Sequence, residues 1–171
     1  MKTLYVTLIL FFSSFTGIPN KPVDSVDLHR FAGKWYSLYS IPTYFDKGTR
    51  ETTTTYNWNA KKEYYNVVTT YKKGNDPGVH SVNSKLFQVE GTHNAEMKAQ
   101  FLWPYKVDYW VIELADDYSY VVVGHPDHKY LFIMSRTPSI DKNLLQHIIS
   151  RCKAMGYPVE KLVSQKHSTD Q

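Results

Sequence analysis

The sequence holds one cysteine, Cys152, in 171 residues. A lone thiol closes no internal disulfide, so the fold must stand on buried apolar surface, which a chain of this length can supply. No N-x-S/T glycosylation acceptor occurs. Long hydrophobic runs are also lacking: the apolar run from Leu4 to Phe12 falls short of the roughly 20 residues that a spanning helix needs. Charge of one sign is not concentrated either. Lys and Arg number 20 against 16 Asp and Glu, a net +4, and the basic pairs Lys61–Lys62 and Lys72–Lys73 fall in expected turns. That scatter argues against a nucleic-acid partner, which calls for a basic face. With 42% apolar and 21% charged residues the chain is globular and not disordered.

What the sequence has in abundance is aromatic side chains, 15% of the total, with 14 Tyr. Tyrosine suits half-buried pleated surfaces, so many strands are expected. The first 16 residues form a separate segment. Lys2, the apolar run Leu4–Phe12 and the small residues Ser13, Ser14 and Thr16 have the pattern of a secretory signal peptide, with cleavage expected after Thr16. The protein is then exported, periplasmic or secreted. No cysteine lies near the cleavage point to carry a lipid, and retention of the segment as an anchor is left open.

From residue 30 to 136 the pattern is mostly strand. Strands are expected over Gly33–Ser40, Thr52–Trp58, Tyr64–Tyr71, His80–Gln88, Glu96–Trp103, Tyr109–Leu114, Tyr118–Val123 and Tyr130–Ser135. The connections are short and rich in Gly, Asn, Asp and Pro, as in "KKGNDPG" and "GHPDH". About eight closely spaced strands argue a sandwich or an antiparallel barrel over alternating βαβ units. One amphipathic helix follows. Ile140, Leu144, Leu145, Ile148, Ile149, Cys152 and Met155 recur at three- and four-residue steps, with Ser139 as candidate N-cap and Gly156 at the C′ position. Its apolar stripe must lie against the outside of the sheet. Cys152 belongs to that stripe and reads as a small hydrophobe. The tail "EKLVSQ" is expected to add an edge strand.

Three motifs now fall in order. "GKWY" (Gly33–Tyr36) opens the first strand, "ELADDYSY" (Glu113–Tyr120) surrounds a later turn, and "YLFIMSRTP" (Tyr130–Pro138) ends in Arg136. With this spacing and the helix behind them, the chain resembles the lipocalin family, within it the group of bacterial outer-membrane lipocalins, apolipoprotein D and temperature-induced lipocalins. The resemblance runs from about Val26 to Gln165, and a lipocalin domain is expected over 24–168. It implies an all-β fold: an eight-stranded antiparallel up-and-down barrel with one C-terminal α-helix on the outside. It also implies that Gly33, Trp35 and Arg136 close one end of the barrel.

In such a barrel alternate side chains face the lumen. If Trp35 points inward, so do Ser37 and Tyr39, while Tyr36 and Leu38 point out. The same alternation turns Thr52, Thr54, Tyr56, Trp58, Val67, Thr69, Met97, Ala99, Phe101, Tyr109, Val111, Phe132 and Met134 inward. The ligand-binding set expected from these is Tyr39, Thr54, Tyr56, Val67, Met97, Ala99, Phe101, Tyr109, Val111, Phe132 and Met134. The wall is apolar with a few hydroxyls, which suits a fatty acid, a lysophospholipid or a similar amphiphile. Alternating aromatics would equally fill a solid barrel; the resemblance favours a cavity. It also implies a link to membrane-lipid handling and stress. The alternative is an interaction protein whose barrel mouth, including "IPTYFDKGTR", binds a partner. Peripheral membrane association and oligomeric state are left open.

Catalysis is not expected. His125 and His128 in "GHPDH" have H-x-x-H spacing but sit in a turn, Asp116 and Asp117 are adjacent and cannot converge on one atom, and no nucleophile or phosphate-loop motif is present. No cofactor and no metal are called for.

Overall fold

The computed structural model describes residues 17–43 and 46–167. The expected signal segment, and Tyr44 and Phe45 of the mouth loop, lie outside them. An irregular lead-in reaches a one-turn helix, α1 (Leu28–Phe31), where Asp27 accepts from the backbone N–H groups of His29 (2.8 Å) and Arg30 (3.1 Å). The sequence reading took this stretch for a plain polar lead-in. Its one turn delivers the wholly buried Phe31 to the barrel axis.

Eight strands follow: β1 (Gly33–Ile41), β2 (Thr49–Asn59), β3 (Tyr64–Lys73), β4 (His80–Gln88), β5 (Glu96–Leu102), β6 (Tyr105–Leu114), β7 (Tyr120–Gly124) and β8 (Leu131–Ser135). Each pairs antiparallel with the next, β8 pairs with β1, and Gly33–Tyr36 of β1 pair with Thr53–Tyr56 of β2, which closes the barrel. The upper part of β1 pairs instead with a two-residue strand, β9 (Val163–Ser164).

The pleat divides the apolar residues into two layers. The inner layer holds Trp35, Tyr56, Tyr65, Met97, Tyr109, Val111, Val121 and Val123. The outer layer joins Ile112, Val122, Leu131 and Ile133 to Leu145, Ile148 and Cys152 of α2 (Lys142–Ala154). The N-cap of α2 is Asp141, whose carboxylate accepts from Leu144 N–H at 2.9 Å, and not Ser139. Ser139 stays outside the helix, its carbonyl accepting from the Thr137 hydroxyl at 2.7 Å. Gly156 follows at φ +95°, a conformation that favours glycine. Arg151 grips Glu113 of β6 through Nε at 2.9 Å and through its second nitrogen, and Glu113 also accepts from Tyr120 Oη at 2.8 Å. This ties the helix to the wall it covers.

Alternation breaks at bulges, where an extra residue on one strand shifts the phase of everything beyond it. In β1, Ser37 faces Met134 while Tyr39 faces Ile133, its immediate neighbour on β8. Leu38 is the extra residue. Tyr39 therefore turns outward and packs with the outer layer, which corrects its expected place in the lumen. Tyr36 also faces outward, with the Lys34 ammonium 4.6 Å from its ring centre and the His167 ring at 5.2 Å.

Candidate functional site

The barrel is best described from its floor upward. Gly33 stands at φ +96°, and a Cβ there would lie 3.3 Å from an Arg136 guanidinium nitrogen. That guanidinium covers the indole of Trp35, its carbon 3.7 Å from the ring centre. Arg136 donates to four backbone carbonyls around it: Lys34 (3.0 Å), Arg30 (2.6 Å), Phe31 (3.2 Å) and, from Nε, Tyr118 (3.4 Å). Trp35 Nε1 donates to Phe31 O at 2.9 Å, so its one polar atom is satisfied in full burial. Gly33, Trp35 and Arg136 thus meet at one end of the barrel.

Above this floor the lumen is filled with rings. Phe31 lies 5.5 Å from Trp35, 5.2 Å from Tyr56 and 6.1 Å from Tyr65, centre to centre. Tyr65 Oη donates to Leu28 O, which fastens α1 across the end. Tyr56 and Tyr109 reach toward each other from opposite walls and share a hydrogen bond of 2.8 Å between their hydroxyls. Burial pushes the Tyr56 hydroxyl up to about 12 and Tyr109 well above its ordinary value, so both are neutral at any physiological pH. Val67, Met97, Ala99, Val111 and Met134 complete this buried level.

The upper lumen is open. Direct cross-strand partners share a face, so register carries the inner face from Trp35 to Thr54, Thr69 and Val82. A second row runs from Tyr65 through Leu86 and Ala99 to Val107. Val82 is 37% exposed and Val107 43% exposed, apolar side chains on the inner face that water reaches. Thr54 and Thr69 bridge hydroxyls at 3.2 Å, and Phe132 of β8, the cross-strand partner of Val123, is partly buried against the inner layer. These residues form a cup whose bottom is the Tyr56–Tyr109 pair.

One side of the cup is cut down. The ladder between β4 and β5 runs only from Lys85 to Gln88, so His80–Ser84 part from β5. A groove of about 330 Å³ opens there, lined by Asn66, Val67, Ser84, Gln100, Phe101 and Trp103 among others. Phe101 lies within a bulge between Ala99 and Leu102 and stands mostly exposed at the rim instead of within the lumen. Of the expected ligand set, then, Tyr56, Val67, Met97, Ala99, Tyr109, Val111 and Met134 line the filled level. Thr54 and Phe132 line the cup, Phe101 lies on the rim, and Tyr39 is outside. Val82 and Val107 were missed. The alternation Val82–Ser84–Leu86 held the signal for the first. Extending the β6 alternation back from Tyr109 would have found the second.

The residues weighed for other chemistry are separately engaged. His125 Nδ1 accepts from Asp127 N–H at 3.0 Å, and His128 Nε2 lies 2.8 Å from Met155 O. Among the described residues no three His, Cys, Asp or Glu side chains converge as metal ligands would. Cys152 is buried beneath α2, its thiol pushed up to about 12 by burial.

An up-and-down barrel plugged at one end and cupped at the other defines a class built to enclose a small guest. The family model for the lipocalin-like domain matches residues 26–167, and the chain belongs to the lipocalins. It is similar to the outer membrane lipoprotein Blc of Vibrio cholerae, 25% identical over 181 residues, covering 95% of this chain and 97% of that protein. It is similar as well to temperature-induced lipocalin-1 of Arabidopsis thaliana, 26% identical over 157 residues, with 87% and 81% covered. Among solved structures, insecticyanin of the tobacco hornworm Manduca sexta superposes with a TM-score of 0.67 at 18% identity, covering 89% of this chain and 86% of that one.

Proposed function

We propose that this lipocalin binds a fatty acid, a lysophospholipid or a similar amphiphile in the upper cup, and acts by holding it, without chemistry. The observation that supports this is the pair Val82 and Val107, apolar inner-face residues open to water above a filled floor. Burying a ligand chain against them contributes about 0.8 kcal/mol per methylene. The side groove, at about 330 Å³, is at the low end of the roughly 300–1,000 Å³ usual for small-molecule pockets. The occupant is therefore slim, or keeps part of its length outside the wall. The neutral hydroxyls of Tyr56 and Tyr109 cap the depth, so the tail meets a weakly polar floor and the head stays at the mouth. Export, and a role in membrane-lipid handling, fit the similarity to an outer membrane lipoprotein.

Native mass spectrometry before and after lipid extraction tests the reading, with oleate and lysophosphatidylethanolamine as added probes. A co-purifying amphiphile is expected, and Thr69→Trp, which fills the cup, should exclude it. If nothing co-purifies and neither probe binds the extracted protein, the reading fails.

A further inference from the structure

Nine large apolar residues stand exposed among the described residues, and five of them fall within seven consecutive positions: Phe101, Leu102, Trp103, Tyr105 and Val107. They end β5, make the turn and begin β6, at the open end of the barrel, with Val107 on its inner face. Phe101 is 60%, Leu102 71%, Trp103 81% and Tyr105 74% exposed. Leaving such side chains in water is costly, and a concentration of them at one tip marks a contact surface.

The shape of the tip narrows the partner. Phe101 and Trp103 line the side groove, whereas Leu102 and Tyr105, cross-strand partners that share a face, stand exposed outside it. The ribbon is therefore apolar on both faces. A flat protein surface, or a second copy packing face to face, would cover one side and leave the other wet. A lipid layer into which the tip dips covers all sides at once. Trp and Tyr, with an apolar body and a polar edge, are suited to the level of lipid headgroups. Charge agrees. Near the tip, β4–β6 carry Lys85, Lys98 and Lys106 against Asp108, which is paired with Lys98, while Glu96 of β5 and Glu113 of β6 stand at the far ends of their strands. The ammonium of Lys106 rests 3.9 Å from the centre of Phe87 and that of Lys85 5.1 Å from Tyr64, exposed outer-face contacts that each long stem would exchange for an anionic headgroup.

We infer that the β5–β6 turn is a bilayer anchor: Phe101, Leu102, Trp103 and Tyr105 dip into the headgroup region of an anionic lipid surface, Lys85 and Lys106 hold that surface, and the open end is set down on it. The attachment is peripheral, since among the described residues no helix is long and apolar enough to cross a membrane. The inference stands apart from the guest in the cup: Thr69→Trp excludes the guest and leaves the anchor in place.

The full chain is mixed with phosphatidylcholine vesicles with and without phosphatidylglycerol. The apolar run at Leu4–Phe12 offers another route to a vesicle, so the readout is local, at Trp103. Its emission, taken as the difference from a Trp103→Phe variant, should move to the blue and be quenched by brominated acyl chains. Both effects should be stronger with phosphatidylglycerol. The triple variant Phe101→Ser/Leu102→Ser/Trp103→Ser alters only exposed side chains, so it should melt with the parent and float with anionic vesicles about tenfold less. Lys85→Glu/Lys106→Glu should abolish the preference for phosphatidylglycerol while leaving Trp103 competent to insert. An unshifted Trp103, equal flotation of the triple variant, or self-association of the parent that the triple variant abolishes would each overturn the inference.

Discussion

Arg136 lies over the indole of Trp35 at 3.7 Å and, in the same position, bonds the carbonyls of Lys34, Arg30 and Phe31. One guanidinium, on the residue that follows β8, thus joins β1, α1 and the turn before β7. The cation–π contact contributes about 0.5–2 kcal/mol, and the fork of N–H donors adds a geometry that an ammonium cannot copy. Trp35→Ala should cost about 3–5 kcal/mol, lowering the melting temperature by on the order of 10 °C. Arg136→Lys keeps the charge and should still cost about 1–3 kcal/mol. A Trp35→Ala protein melting within a degree of the parent would remove the plug from this account.

The Tyr56–Tyr109 pair lends itself to a double-mutant cycle. Replacing either with Phe strands the other hydroxyl in full burial, at about 1–3 kcal/mol. Replacing both leaves nothing stranded. The double variant should therefore be more stable than the sum of the singles predicts, with a coupling readable by urea denaturation. Additive losses would mean that the hydroxyls do not depend on each other.

Alkaline pH should loosen the barrel. Burial raises Tyr56, Tyr120 and Tyr157 to about 12, and Tyr65, Tyr109 and Tyr130 move in the same direction. In the unfolded chain tyrosine ionises near pH 10. Above that pH the unfolded state binds fewer protons than the folded one, so stability falls as pH rises. Below it, these groups contribute no slope. Melting temperatures measured in parallel with tyrosinate absorbance should show the decline beginning near about pH 10, with a class of tyrosines that ionises only as the chain unfolds.

The bulge at Leu38 separates two aromatic residues by function. Phe132→Ala should weaken binding of an added fatty acid severalfold, because it strips the cup wall. Tyr39→Ala should leave that affinity unchanged and lower the melting temperature, because it strips the layer beneath the helix. Isothermal titration of both variants reads the difference. Equal losses of affinity would return Tyr39 to the lumen.

Gly124 has no such freedom of substitution. A Cβ there would meet Tyr157 Oη at 2.1 Å and Ile112 Cδ1 at 3.1 Å. Tyr157 Oη is held by Asn20 and by the His125 backbone at 3.0–3.1 Å. Gly124→Ala should cost about 1–3 kcal/mol by overpacking, checked by thermal melting against Gly91→Ala, where nothing lies within 4 Å of the added carbon and only the φ of +79° is strained.

The strands and the closing helix were legible in the periodicity, while the barrel topology and the meeting of Trp35 with Arg136 came from the family resemblance that the motifs carry. β4 runs from His80 to Gln88, the limits the pattern suggests. The phase of alternation was less legible, because a bulge adds a residue without any mark in the side chains around it. Tyr39 was misplaced for that reason, and Phe101 sits within a second bulge. The start of β6 at Tyr105 was hidden by Lys106 and Asp108, which dilute the apolar signal on the outer face. A helix of one turn is too short to show a period, so Phe31 was read as part of the approach to β1. Asp27, three to four positions earlier, was the available capping signal. The filled lower lumen follows from Phe31, and that is why the candidate site begins higher than alternation alone suggested.

Cys152 lies sealed between α2 and the outer wall, fully buried and with its thiol protonated far above physiological pH. Thiolate is the reactive form, so glutathione, oxidants and alkylating agents have nothing to meet while the chain is folded. Because no disulfide must form, assembly of the barrel requires neither an oxidising compartment nor an isomerase. The protein can be made, carried and used across a redox boundary without its structure registering the crossing.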